Sequence, residues 1–369
     1  MTLRWAARSG RAAVKVAAIA LPAVAGFLVL EVAARVTHPF GPSPWLLDGE
    51  LGYEYRPHAY PEINGDGLRG APVPVPKRPG VHRLAVIGDS CAFDLDIPWE
   101  TSWPVKLQQL LARDGTREVE IINAGIPGYV SAQAALRLQR RVLKYRPDLV
   151  IVFVGWNDLN YSQIPQWKPN VTLAGIPQGY DWLQRRRTIA GSRFLAVCWY
   201  RVVASWRADT VYRTKPSKRP PTGIAFNEQA LDLYLRNLET IRLTTERAGA
   251  RLAVVAWPSL LQVTPAERVR EVEPKLHATF RLLPWSWDEW QTGYARYQDA
   301  IRRFAAQKPS VILLDPTPAF RAAKDGEGLF ADMVHFTPAG SELLAQTLAD
   351  ELRMASRERA HSGNVAGLR

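Results

Sequence analysis

Residues 83–90 read Arg-Leu-Ala-Val-Ile-Gly-Asp-Ser (RLAVIGDS). The apolar run Leu84–Ile87, closed by a glycine, has the length and composition of a short strand buried on both faces. Gly88-Asp89-Ser90 then places a serine where the strand turns into a helix. A hydroxyl there sits at the sheet's carboxyl edge, with its own N–H at a helix N-terminus. That position suits a nucleophile whose amide faces a developing oxyanion. The same tripeptide also makes an ordinary N-cap, so alone it decides the turn and not the chemistry.

The alternation continues downstream. Val119–Ile122, Asp148–Val154 (DLVIVFV), Arg251–Trp257 (RLAVVAW) and Val311–Leu314 read as further strands. Trp103–Arg113, Ala132–Tyr145, Asn227–Ala248, Tyr294–Gln307 and Pro338–Met354 carry helical patterns. Five buried runs alternating with helices predict an α/β fold, a parallel five-stranded sheet covered on both faces. No internal repeat is present. Residues 159–226 and 258–292 break the rhythm. Both leave carboxyl ends of strands, where open α/β sheets place ligands, and are candidate lids.

Three further motifs fall on the same region. The second strand ends in Asn123-Ala-Gly125-Ile-Pro-Gly128, where glycine lets backbone N–H groups approach a ligand. The third ends in Gly155-Trp156-Asn157-Asp158, whose amide side chain can donate to an oxyanion. Asp332-Met-Val-His335 precedes the last helix, and a tight turn brings its carboxylate and imidazole to one side. Each has an ordinary reading as well: a helix-entry turn, an Asx turn, a surface histidine. Together they gather a nucleophile, two oxyanion donors and an Asp–His pair at one sheet edge.

This combination resembles the SGNH (GDSL-type) hydrolase family across roughly residues 82–354. The resemblance implies a flavodoxin-like three-layer α/β/α sandwich that hydrolyses or transfers an O-acyl group. It assigns Ser90 as nucleophile, His335 as base and Asp332 as its orienting acid, with Ser90, Gly128 and Asn157 as the oxyanion hole. It implies no metal and no cofactor. One departure stands out: many members carry glycine four residues after the serine, and here Asp94 stands there, which puts the first loop's shape in question. Gly88-x-Ser90-x-Ala92 also approaches the nucleophile elbow of α/β-hydrolases. In that fold the serine follows several strands, and acid and histidine lie far apart in sequence.

Upstream, Val16–Leu30 is an unbroken apolar run. Extended to Val36 it forms a helix of about 31 Å at 1.5 Å per residue, about one bilayer core. Glu31 and Arg35 fall near its end, where they are expected to snorkel to headgroups. Arg4, Arg8, Arg11 and Lys15 precede it without an acid, which predicts a cytoplasmic N-terminus and a body outside. A cleaved signal peptide is the competing reading, although no clean A-x-A site follows Leu30. The chain thus reads as a basic tail (1–15), an anchor (16–36), a Pro/Gly-rich connector (37–81), the hydrolase domain (82–356) and a flexible tail (357–369). Gly67-Leu68-Arg69 in the connector, behind an anchor, is similar to membrane-tethered bacterial members linked to envelope polysaccharides.

The chain has 369 residues and a net charge of +12. Two cysteines, Cys91 and Cys198, exclude a disulfide framework and a four-thiolate zinc cage. A single Cys91–Cys198 bridge stays open, and Cys91 reads as a small buried residue under the nucleophile loop. The charge is local: residues 181–219 hold ten Arg/Lys against Asp181 and Asp209, interleaved with aromatics. Leu195, Trp199, Val202 and Trp206 recur there at helical spacing. A lid helix, an interfacial helix on anionic lipid and a groove for acidic polysaccharide compete for that segment. Nucleic acid is excluded as a partner, since the basic patch is confined to one insertion of a domain expected outside the cytoplasm. The expectation is an inner-membrane, periplasm-facing serine esterase acting on O-acyl groups, O-acetyl first among them, of an envelope or exported saccharide. An O-acyltransferase with the same acyl-enzyme and a non-catalytic saccharide-binding protein are the alternatives.

Overall fold

The computed structural model describes residues 2–37, 44–113, 115, 118–163, 192, 194, 195, 198, 225–279 and 285–366. The chain forms two units, residues 1–43 with 178–218, and residues 44–177 with 219–369.

The smaller unit contains α1 (Thr2–Thr37). Ala18–Val36 within it has a mean hydropathy of 1.9 and is long and apolar enough to cross a membrane. Glu31 does not reach outward as its place in the helix suggested. It is 9% exposed, and its carboxylate accepts from Arg35 Nε (2.7 Å), Ser192 Oγ (2.7 Å) and the Phe194 amide (2.8 Å). A carboxylate on an apolar helix is costly unless donors surround it, and the insertion supplies two of the three. The remainder of the 195–206 stripe, apart from Leu195 and Cys198, lies outside the described residues.

The larger unit opens with an antiparallel ribbon, β1 (Trp45–Asp48) and β2 (Gly52–Tyr55). Then come β3 (Val81–Gly88), α2 (Ser90–Phe93), α3 (Trp103–Ala112), β4 (Glu118–Asn123), α4 (Ser131–Arg137), β5 (Leu149–Phe153) and α5 (Trp156–Ser162). They are followed by α6 (Glu228–Arg247), β6 (Arg251–Val255), α7 (Leu260–Val263), α8 (Val269–Thr279), α9 (Trp287–Ala306), β7 (Val311–Leu314), α10 (Thr317–Ala322) and α11 (Pro338–Ala366). Strands β3–β7 form one parallel sheet in the order β4-β3-β5-β6-β7. Helix α3 packs with α11, and α4, α5 and α9 pack with α6, which completes three layers. The chain first runs outward to β4 and then returns past β3 to β5. This strand order places the topological switch point between β3 and β5, the crevice where such sheets bind ligands.

All five strands lie where the apolar runs put them. Other expectations change. The connector is no simple spacer: Leu51, Tyr53, Tyr55, Ile63, Leu68 and Arg69 are buried. Alternating Tyr53 and Tyr55 direct aromatic area into the body, where Tyr53 meets Tyr129 and Tyr55 stacks on Phe93. Arg69 bridges to Asn123 and so adds backbone to the edge of β4. Helix α9 begins at Trp287, seven residues before Tyr294, because Ser286 and Glu289 form a reciprocal capping box. The helix read at Ala132–Tyr145 leaves α-geometry after Arg137, whose buried guanidinium is tied to the Ala124 and Gly67 carbonyls and to Glu54. Helix α11 runs to Ala366, beyond Met354. Cys91 and Cys198 are both free thiols.

Candidate active site

The position of Ser90 is built from the end of β3. Gly88 has φ +149°, and a Cβ there would lie 1.8 Å from the Phe153 carbonyl oxygen of neighbouring β5. Only glycine lets the two strand ends approach this closely. Asp89 then caps α2, accepting the Cys91 amide at 2.9 Å, and Ser90 occupies the first helical position. Burial pushes the Asp89 carboxyl up to about 7. Cys91 is 2% exposed, and burial raises its thiol well above the usual range, so the thiol is a poor nucleophile.

Asp332 folds the opposite wall around itself. One carboxylate oxygen accepts the Val334 amide (2.8 Å) and the His335 amide (2.9 Å). The other lies 2.7 Å from His335 Nδ1, and His335 Nε2 lies 2.8 Å from Ser90 Oγ. A carboxylate only accepts, so Nδ1 carries the ring proton and Nε2 offers its lone pair to the serine. Burial works against the charged imidazolium, but the hydrogen bond and charge of Asp332 outweigh it and raise His335 above 6.5. For Asp332, burial again opposes charge, and the bond to His335 prevails, holding the carboxyl below its usual 3.8. The structure thus brings together Ser90, His335 and Asp332 across 245 residues of chain.

The remaining two sequence-expected residues lie on the neighbouring turns. The Ile126 amide donates to the Gly88 carbonyl (3.0 Å), which holds the β4–α4 loop against the nucleophile turn. Gly128 has φ +85°, and a Cβ there would lie 2.6 Å from the Tyr53 hydroxyl. That hydroxyl donates to the Pro127 carbonyl at 2.6 Å. Among the described residues, neither the Ser90 nor the Gly128 amide has a protein acceptor. Asn157, half-buried, donates one Nδ2 hydrogen to the Tyr129 carbonyl at 2.9 Å, and the amide retains a second hydrogen.

Several supports were not read from the sequence. Asp158 accepts the Ser131 amide (2.9 Å) and also binds the Ser131 hydroxyl, tying the turn that bears Asn157 to the start of α4. Burial pushes this carboxyl up to about 6. Asp94, in the place of the family's glycine, adopts the left-handed conformation glycine would give, with φ +64°. Its carboxylate accepts the Trp103 amide (2.8 Å) and the Ser341 hydroxyl (2.7 Å), which offsets the cost of that conformation. Asp94 thus links the first loop to α3 and α11. Asp94 followed by Trp103 at the start of α3 was the signal in the sequence, but only folding shows that they meet.

A family model described as GDSL-like lipase/acylhydrolase matches residues 86–343. The chain belongs to this family. Among curated proteins, this GDSL-like chain is 36% identical over 77 residues to an arylesterase of Vibrio mimicus, covering 21% of this chain and 38% of that protein. It is 35% identical over 75 residues to esterase TesA of Pseudomonas aeruginosa, covering 20% of this chain and 37% of that one. The chain thus spans less than two fifths of the length of the curated relatives it matches. A solved structure of a putative lipolytic G-D-S-L family protein from Desulfitobacterium hafniense aligns with a TM-score of 0.42 at 14% identity, over 73% of this chain and 99% of that one. The GDSL-like match runs from Val86 in β3 to Leu343 in α11 and so encloses all five residues of the site.

Proposed function

We propose that this chain is a serine esterase that cleaves O-acyl esters, with Ser90 as nucleophile, His335 as general base and Asp332 orienting the imidazole. The reading is carried by the unbroken line of contacts Ser90 Oγ–His335 Nε2–Nδ1–Asp332. His335 takes the Ser90 proton as Oγ attacks the ester carbonyl, and the carbonyl π electrons move to oxygen. The Ser90 and Gly128 amides and the second Nδ2 hydrogen of Asn157 hold that oxyanion. Collapse expels the alcohol, which receives the proton from His335 and leaves an acyl-serine. Water, deprotonated by His335, then attacks the acyl-serine; the acyl–Oγ bond breaks, the acid is released, and His335 returns the proton to Ser90 Oγ. The His335 side chain is 15% exposed and that of Asp332 35%, which supports solvent access and hence hydrolysis over transfer.

The ester partner is an acylated saccharide outside the cytoplasm. The supports are the apolar Ala18–Val36 segment and the four cations that precede it, which favour a cytoplasmic start and an exported body. A fluorophosphonate probe tests the chemistry: a single adduct on the Ser90 peptide is expected, and no adduct on folded protein refutes it. Transfer of acetyl to an added sugar in preference to water would assign an O-acyltransferase instead. Intact mass in the membrane fraction tests the anchor, since a chain beginning near residue 35 would show a cleaved signal.

Asn157→Ala is expected to lower kcat for an aryl acetate by about 10²–10³-fold, the usual effect of losing one oxyanion donor. KM should change little, because the ground-state carbonyl gains less from that donor than the oxyanion does. A kcat loss below threefold would remove Asn157 from the oxyanion hole.

A further inference from the structure

Beside the nucleophile turn lies a groove of about 540 Å³, lined by the connector and by residues 93–100. Its volume falls in the range of about 300–1,000 Å³ typical of small-molecule clefts. The Leu95 amide, in the groove wall, donates to the Ser90 carbonyl at 3.0 Å, so the wall is joined directly to the turn that carries Ser90. Aromatic rings form much of the lining. Tyr60 is 43% exposed, Trp99 is half-buried, and Tyr55 and Phe93 stack beneath at 5.4 Å.

The polar groups of the groove have a consistent pattern. Glu62, Asp96 and Glu100 line it, and among the described residues none of their carboxylates makes a hydrogen bond or ion pair with the protein. The one cation in the lining is Arg69, 8% exposed, over the Phe93 ring at 4.2 Å. Its two terminal nitrogens are held by the carbonyls of Phe93, Asp94 and Ile97, while its Nε is buried without a partner. The loop carrying this wall is held in shape by left-handed Asp94 and Asp96. No hydrogen bond of the triad involves these rings or acids; of the three acids, Asp96 also acts on the site by charge, raising His335.

The geometry points to a sugar subsite: the groove of Tyr60, Glu62, Asp96, Trp99 and Glu100 binds an uncharged pyranose of the ester substrate, an inference that rests on esterase chemistry at Ser90. Aromatic faces match the C–H face of a pyranose, and acceptor-only carboxylates match its hydroxyl donors. A uronate is disfavoured, because three carboxylates face it and both terminal nitrogens of Arg69 are already engaged. A fatty acyl chain is disfavoured, since it would bury those carboxylates without donors.

The test uses the full-length protein in detergent, with three esters: p-nitrophenyl acetate, an O-acetylated neutral oligosaccharide and an O-acetylated polyuronate oligomer of equal length. We expect the neutral oligosaccharide to be the best saccharide substrate by at least tenfold in kcat/KM. Trp99→Ala should raise its KM at least tenfold, with p-nitrophenyl acetate within twofold of wild type. Tyr60→Ala and Glu100→Gln, at exposed positions that leave the core intact, should show the same selectivity more weakly. Equal losses on all three esters, or turnover of the uronate ester equal to the neutral one, would each overturn the assignment. Calorimetric titration of the neutral oligosaccharide into Ser90→Ala reads the groove without turnover. Binding there that Tyr60→Ala weakens supports the subsite even if no ester is cleaved, and absence of binding refutes the subsite even if p-nitrophenyl acetate is cleaved.

Discussion

Ser90→Ala is expected to reduce turnover of p-nitrophenyl acetate by at least about 10⁴-fold, the scale seen when a serine nucleophile is removed from such a triad. The loss should fall on kcat, because Oγ forms its bond only after the substrate is bound. The fold should be unaffected: Ser90 is half-buried, its amide is retained, and α2 keeps its Asp89 cap. Circular dichroism and the thermal midpoint should therefore match wild type within a few degrees. Any residual rate should fail to label with a fluorophosphonate. Activity within tenfold of wild type would mean that another group performs the attack, and the arrangement around His335 would need a different explanation.

Asp332→Asn should lower kcat/KM by about 10³–10⁴-fold, since an amide can present a donor to Nδ1 and favour the wrong tautomer. It should also move the pH profile. His335 must be neutral to accept the Ser90 proton, so activity rises with pH through its ionisation. In the wild type that rise is centred above 6.5, because the Asp332 carboxylate stabilises the imidazolium against burial. Without that charge burial is opposed only by the weaker pull of Asp89 and Asp96, and the midpoint should move to lower pH as the plateau falls. A profile of kcat/KM between pH 5 and 9 for both proteins checks this. An unchanged midpoint would show that the 2.7 Å contact does not set the base's ionisation.

Much of the architecture was legible in short apolar runs. DLVIVFV and RLAVVAW are too continuous for half-exposed strands and too short for helices, so they read as central strands of a parallel sheet, as β5 and β6 are. The residues of the site were legible for a related reason. In such a sheet every strand points the same way, so whatever follows each strand lies along one edge. That rule put Gly88-Asp89-Ser90 and the turns bearing Gly128 and Asn157 on one edge; the role of each residue came from the resemblance to SGNH hydrolases.

The connector was not legible, because four-residue strands among prolines carry too little pattern to reveal a face. Its Tyr53 and Tyr55 became informative only against Tyr129 and Phe93. Asp94 was equally opaque: the sequence raised a question about the loop, and only the structure shows a left-handed Asp94 held by bonds from Trp103 and Ser341. Both depend on partners distant in the chain, which no local window contains.

The succession of strands and helices along the chain, the acid and histidine three positions apart, and an apolar N-terminal segment are legible in composition, periodicity and spacing, which are properties of neighbouring residues. The 2.8 Å approach of His335 to Ser90, the buttress under Gly128 and the aromatic, acid-lined groove arise where separate segments pack against one another. Those distances exist only once the core has closed, because close packing, and not local preference, sets where each distant side chain comes to rest.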